Sequence, residues 1–206
     1  MSEVLDRLLF HWVPSKALII GGRALSWDAR CAGIYIGFAL ALLVQLLVAR
    51  RARSLPAPML LLAVGAISSL PMFLDLYTIE SGMRAASNDV RYLTGLLFGS
   101  GFCLFLYPAC VVVAGGAAAR DAGIDPPGKI ALIYLGVAAG FTARFVDTLT
   151  AFYVLEGLAW IGMGAVGLAM AIGALGGISG LLSRGSRPGP PRSPAVNSSA
   201  GSPASR

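Results

Sequence analysis

The chain has 206 residues, of which 56% are hydrophobic and 13% are charged, and its mean hydropathy is +0.76. Soluble domains carry about 25% charged residues, so this composition excludes a water-soluble globular protein and makes the lipid bilayer the expected partner. The net charge of +6 does not indicate nucleic-acid binding, because the basic residues lie mostly between apolar segments, where Lys and Arg set membrane topology.

The first part of the chain predicts a short helix on the membrane surface. Four apolar residues fall on one helical face there: Leu5, Leu8, Leu9 and Trp12. This spacing is typical of an amphipathic interfacial helix. Pro14 should end it, and Gly21-Gly22 indicates a turn before the first membrane span.

Five apolar segments are long enough to cross a bilayer, which requires about 20 mainly apolar residues in a helix. They run near residues 32–49, 57–79, 92–118, 129–152 and 155–182. The sequence therefore predicts an all-α, polytopic transmembrane helix bundle over residues 1–182; a bundle of four spans is the alternative. Residues 183–206 are rich in Pro, Ser, Gly and Arg and predict a disordered tail, because they have almost nothing to bury.

Glycines at intervals of four predict close helix contacts in this bundle. Gly33 and Gly37 lie in the first span, and Gly95 and Gly99 lie in the third. Small residues at this spacing let two helix backbones approach each other closely.

Basic residues indicate the orientation. With five spans, the two termini lie on opposite sides of the membrane. Arg50, Arg51 and Arg53 fall in a short loop on the same side as the carboxyl-terminal tail, which favours that side as cytoplasmic. We therefore predict a multi-pass protein of the cell membrane with its amino terminus outside and its carboxyl terminus in the cytoplasm.

Charged residues inside or beside the spans are predicted to gather at the outer end of the bundle. At 1.5 Å per residue, Asp75 in the second span and Arg144 and Asp147 in the fourth reach a similar depth. The same end holds Asp28, Arg30, Cys31, Arg91 and Glu156. Charges at such depth are costly and usually mark a site or an ion pair. Arg144 and Asp147 are three residues apart and could simply pair with each other.

Three stretches resemble the motifs of a family of prokaryotic membrane proteins, domain of unknown function 2085. That family has a Cys-His pair near its start and Cys-x-Arg-Cys-x-Gly-x-Tyr-x-Gly at the first span, where this chain has Phe10-His11 and Asp-Ala-Arg-Cys-Ala-Gly-Ile-Tyr-Ile-Gly at 28–37. Its Pro-x-x-x-Asp-Gly and Arg-x-x-Thr-Gly-x-x-x-Gly motifs correspond to residues 71–76 and 91–99. The resemblance covers roughly residues 8–110.

The resemblance implies no known reaction, but the family's thiols and histidine are a set suited to a soft metal or to redox chemistry. Phe10 and Asp28 stand here in place of two of the cysteines, so Cys31 has no neighbouring thiol with which to form a disulfide. A divalent metal such as zinc would be bound by the remaining candidates, which are His11, Asp28, Cys31 and Asp75.

Three functions fit these observations. The first is an integral membrane protein with a polar site at the outer face that binds a metal or a small anionic ligand such as a lipid headgroup. The candidate residues for the anionic ligand are Arg30, Arg84, Arg91, Arg144 and Asp147. The second is a structural scaffold, or a degenerate relative, whose charges form ion pairs. The third is a membrane-embedded enzyme with Asp75 or Asp147 as general base, although the chain contains no nucleophile elbow, zinc-protease helix or phosphate-binding loop.

Overall fold

The computed structural model describes residues 14–48, 58–115 and 126–185. Five long helices follow a small β-hairpin in this part of the chain. The helices are α1 (Ala29–Val48), α2 (Pro58–Glu80), α3 (Asn88–Gly115), α4 (Pro126–Ala143) and α5 (Leu149–Gly185). Each corresponds to one of the five predicted segments, and the predicted helical membrane bundle is confirmed. Residues 183–185, which we assigned to the tail, belong to α5; the rest of the tail lies outside the described residues.

Three of the helices contain apolar stretches of a length and composition that can cross a membrane. These stretches are Ala29–Leu47, Asn88–Tyr107 and Leu149–Gly176. A fourth, shorter apolar stretch in α4 covers Ile130–Ala143.

The hairpin was not predicted. A 3-10 turn at Pro14–Lys16 leads into strand β1 (Ala17–Ile20), which pairs antiparallel with β2 (Arg23–Asp28). The turn expected at Gly21-Gly22 is confirmed: both glycines have positive φ, 57° and 73°, as a two-residue type I′ hairpin turn requires. The amphipathic helix predicted around residues 5–12 lies outside the described residues.

Apolar side chains bury the hairpin against the bundle. Leu18, Ile20 and Leu25 are fully buried and belong to one apolar cluster with Phe152 and Leu155 of α5. The hairpin is therefore part of the hydrophobic core at one end of the bundle.

The fourth segment is shorter than predicted. We expected it to run to residue 152, but α4 ends at Ala143 and α5 begins at Leu149. Thr148 precedes α5, and its hydroxyl accepts a hydrogen bond from the Ala151 amide at 3.2 Å, as an N-cap residue does. Arg144 and Asp147 consequently lie in the connection between the helices rather than inside a span.

Helix α1 is the centre of the bundle, packing against α3, α4, α5 and β2. Its contact with α3 depends on the two predicted glycine pairs, Gly33 with Gly37 and Gly95 with Gly99. A Cβ atom at any of these glycines would collide with a backbone carbonyl oxygen of the opposite helix. Those oxygens belong, in the same order, to Tyr92, Leu96, Arg30 and Ile34. The two backbones are thus in direct contact.

Helix α2 lies at the side of the bundle, where it packs on α3. Ser68 of α2 faces Gly101 of α3, and a Cβ atom at that glycine would collide with the serine side chain. The Ser68 hydroxyl lies 2.6 Å from the Tyr134 hydroxyl of α4. Within the described ranges, α1 and α2 do not pack along each other.

The glycine contact makes a test by substitution possible. We expect Gly99→Ala to destabilise the protein by about 1–3 kcal/mol, because its methyl group has no room against α1. Gly164→Ala on α5 is the matched control, since a Cβ there meets nothing within 4 Å and alanine favours helix by about 1 kcal/mol. Thermal unfolding in detergent micelles measures both effects; a Gly99→Ala variant as stable as Gly164→Ala would contradict the close contact.

Candidate functional site

Polar interactions concentrate at the end of the bundle that carries the hairpin, which we call the hairpin end. Helices α1, α3 and α5 begin at this end, and α2 and α4 finish there, since polar contacts join all these termini or the loops beside them. The charged residues that we expected at a similar depth, such as Arg30, Asp75 and Arg144, therefore lie at the same end of the bundle.

Asp75 of α2 is the most buried charged group of this end, with only 1% of its side chain exposed. Its Oδ2 accepts a hydrogen bond from Arg30 Nη2 at 2.6 Å, and its Oδ1 accepts one from Arg84 Nη2. The side chains of Arg30 and Arg84 are 20% and 35% exposed. We call these three residues the arginine–aspartate cluster; it contains two cations and one anion.

The end of α2 brings Arg84 back to Asp75. Gly82 has a φ of 71°, the left-handed conformation that commonly terminates a helix. The Arg84 amide then donates to the Thr78 carbonyl oxygen at 3.2 Å. The chain thus turns back over the last turn of α2, where the guanidinium reaches the carboxylate.

One nitrogen of the cluster has no partner. Arg30 Nε is buried and makes no hydrogen bond in the structure. An unsatisfied buried donor is costly, and Arg30 Nε is the nitrogen of the cluster that the structure leaves unsatisfied.

Three polar side chains hold the hairpin by hydrogen bonds to its backbone. Asn88 at the start of α3 donates to two carbonyl oxygens at 3.2 Å, Asp147 accepts from an amide at 2.5 Å, and Glu156 of α5 accepts from another at 3.2 Å. Asn88 binds the carbonyls of Ser15, in the 3-10 turn before the hairpin, and of Ala17 in β1. Asp147 binds the amide of Gly21, and Glu156 binds the amide of Ser26. These bonds satisfy backbone groups that would otherwise remain unpaired.

Arg144 and Asp147 do not pair with each other, contrary to the pairing that we considered. Arg144 Nε lies 2.5 Å from Asp89 Oδ1 on α3, and Asp147 binds the Gly21 amide. Because α4 ends before Arg144, the helical spacing that would have brought these two residues together is absent.

The metal candidates have separate roles in the described part of the chain. Asp28 directly precedes α1, and its Oδ1 accepts a hydrogen bond from the Cys31 amide at 3.0 Å, which makes it the N-cap of that helix. Cys31 is a partly buried free thiol, and Asp75 is bound by two guanidinium groups. Among the residues that the structure describes, no three His, Cys, Asp or Glu side chains form a metal-binding group; His11 lies outside them.

The structure separates the remaining candidates for an anionic ligand. Arg30 and Arg84 come together on Asp75, whereas Arg91 Nη1 lies 3.4 Å from Asn88 Oδ1 and Arg144 pairs with Asp89. Asp75 and Asp147, the two candidate bases, have different partners on different elements. Sequence reasoning missed the role of Asp89, whose position in the first turn of α3 predicts only helix capping.

Comparison with known proteins confirms the resemblance that the motifs indicated. Residues 10–105 match the model of a family described as a predicted membrane protein, domain of unknown function 2085. The matched region contains the arginine–aspartate cluster and both glycine pairs. An uncharacterised protein of Methanocaldococcus jannaschii is 26% identical over 102 residues, which are 49% of this chain and 63% of that protein. The chain thus matches less than two thirds of the length of this relative. No solved structure matches the chain.

The attachment of the hairpin can be tested at Asp147. Asp147→Ala removes the acceptor of the Gly21 amide, and the loss of one charged hydrogen bond, about 1.5–3 kcal/mol, should accelerate amide exchange in the hairpin about tenfold or more. Hydrogen–deuterium exchange of the full chain in micelles, followed in the peptide that covers β1 and β2, measures this. Thr150→Ala, at an exposed position of α5, is the control, and equal exchange in the two variants would contradict the attachment.

Proposed function

We propose that the protein is an integral membrane protein that binds a small anionic group, the phosphate of a lipid headgroup or free phosphate, at Arg30 and Arg84. The observation that carries this proposal is the composition of the arginine–aspartate cluster. Two guanidinium groups share one buried carboxylate, so one positive charge is not balanced within the cluster.

The chemistry of the two arginines suits a phosphate. Guanidinium groups present several donors in a planar arrangement that matches phosphate oxygens. The side chains of Arg30 and Arg84 keep 20% and 35% of their surface exposed, so each has a part that a phosphate can reach. Both residues lie at one end of the bundle, and the ends of a bundle that crosses a bilayer approach the polar headgroup region.

The orientation is also a proposal. Helix α1 leads away from the hairpin end towards Arg50, Arg51 and Arg53. Basic residues that follow a span in a short loop favour the cytoplasmic side. We therefore propose that the hairpin end faces outward and that the anion is bound there.

The metal and enzyme alternatives receive less support from the geometry. Asp75 would have to leave two guanidinium groups before it could bind zinc, and Asp28 already caps α1. As a general base, Asp75 would be opposed by two guanidinium groups that favour its ionised form, and Asp147 holds the hairpin turn. The anion is thus the ligand that the described side chains fit best.

A structural scaffold is the second candidate function. It is favoured by the number of polar side chains that bind the hairpin backbone rather than face an open site, namely Asn88, Asp147 and Glu156. In this case the arginine–aspartate cluster would only join α2 to α1.

Binding of glycerol phosphate, a headgroup without acyl chains, distinguishes the two functions. Phosphorus NMR of the purified full chain in a detergent without phosphate should show line broadening of this probe. We expect Arg84→Gln to weaken binding about tenfold, since a hydrogen bond between charged groups contributes about 1.5–3 kcal/mol, while Asp75 keeps Arg30 as its partner.

Arg23→Gln is the matched control. It removes one positive charge from the same end, but Arg23 donates to the Tyr153 hydroxyl at 2.9 Å and has no part in the cluster. Equal binding by wild type and both variants, or no binding at all, would contradict the anion site and favour the scaffold.

A further inference from the structure

We infer that the anion belongs to an anionic glycerophospholipid whose acyl chain occupies a groove between α2 and α3. This inference rests on the proposed anion site. It adds the class of ligand and a second contact surface, which lies deeper in the membrane than the arginines.

The groove is an apolar cavity of about 300 Å³ at the side of the bundle. Phe98, Phe102 and Phe105 of α3 line one side, and Gly65, Ala66 and Ser69 of α2 line the other. A Cβ atom at Gly65 would meet nothing within 4 Å, so this glycine leaves the α2 side open. Apolar and aromatic walls suit a hydrocarbon chain rather than a polar ligand.

The arrangement of the helices explains why the groove exists. Helices α1 and α2 both contact α3 but do not pack along each other in the described ranges. The Arg30–Asp75 ion pair joins α1 to α2 at the hairpin end. Phe102, which lines the groove, has its ring centroid 6.1 Å from that of Phe38 on α1. The groove therefore lies beside α1, the helix that carries Arg30.

The distance between the groove and the cluster fits one lipid molecule. Along α2, Ser69 is six residues and Gly65 ten residues before Asp75, which places the groove about 9–15 Å below the carboxylate at 1.5 Å per residue. A phospholipid has its phosphate at one end and its acyl carbons over this range of depth. The excess positive charge at the top and the apolar wall below therefore match a molecule with an anionic head and a hydrocarbon tail.

A second apolar cavity in the described part of the chain differs from the groove in its position along the bundle. It has a volume of about 260 Å³ and lies between α1, α3 and α5, lined by Phe38, Tyr107 and Leu168 among others. Neither cavity has a charged lining residue, but Cys110 of the second cavity lies 22 residues from the start of α3, far from the hairpin end. Of these two cavities, the groove between α2 and α3 is the nearer to the cluster: Ser69 is six residues from Asp75 along α2, whereas Phe38 is eight residues from Arg30 along α1.

The test is retention of phosphatidylglycerol by the delipidated full chain, measured by native mass spectrometry. We expect Gly65→Leu to reduce retention about tenfold, because its side chain takes the place of about two buried methylene groups of the lipid. Ser69→Leu, which fills the groove from the next turn of α2, should have the same effect and serves if Gly65→Leu folds poorly. Gly164→Leu adds the same side chain to an open position on α5 and should leave retention unchanged.

Glycerol phosphate separates this inference from the proposed anion site. The inference is supported if Gly65→Leu loses phosphatidylglycerol but still binds glycerol phosphate like the wild type. If Gly65→Leu and Gly164→Leu retain the lipid equally while Arg84→Gln still loses glycerol phosphate, the groove assignment is overturned and the anion site stands. A groove that holds a second copy of the chain would give a dimer mass that Gly65→Leu abolishes, and this result would also overturn the lipid assignment.

Discussion

The direct contact between the backbones of α1 and α3 is the constraint on which the rest of this structure depends. Four glycines create it, and a methyl group at any of them would collide with a carbonyl oxygen of the opposite helix. In lipid, where hydrophobic burial does little to drive helices together, such close packing is a main source of association. Helices α1 and α3 are fixed against each other and start at the same end of the bundle. The hairpin, which precedes α1, and the last turns of α2, which precede α3, therefore lie together at that end.

Charged residues at that end serve two purposes. Asp147 and Glu156 bind backbone amides of the hairpin, so they complete hydrogen bonding where the strands meet the helices. Asp75 instead joins two elements through arginines, Arg30 on α1 and Arg84 after α2. The first group explains how the hairpin is held. The second leaves a positive charge unbalanced above an apolar groove, and this combination is what distinguishes the proposed lipid site from a purely structural set of ion pairs.

The sequence predicted the features that depend on local pattern. Hydropathy located the five helices, and the spacing within Gly33/Gly37 and within Gly95/Gly99 indicated close helix contacts, although not that these two pairs meet each other. Depth along the spans predicted that the charged residues lie at one end of the bundle. The hairpin was missed because a run as short as residues 17–20 cannot be assigned to strand or helix from periodicity. The end of α4 was missed because apolar residues such as Phe145 and Val146 follow Ala143 and keep the local hydropathy high. The arginine–aspartate cluster was not predicted, because a pair of residues 45 positions apart is brought together only by tertiary structure. From the sequence we had assigned Asp75 to a metal site and Arg30 and Arg84 to an anion site.

A double-mutant cycle between Arg30 and Asp75 tests the central claim most directly, because this ion pair joins α1 to α2 at the hairpin end and forms part of the proposed anion site. The free energy of unfolding in mixed micelles would be measured for Arg30→Gln, Asp75→Asn and the double variant. We predict a coupling energy of at least about 1.5 kcal/mol, since Asp75→Asn leaves the Arg30 guanidinium without its carboxylate, a cost that is absent once Arg30 is replaced. Effects that add to within about 0.5 kcal/mol would show that the two residues do not interact and would contradict the account.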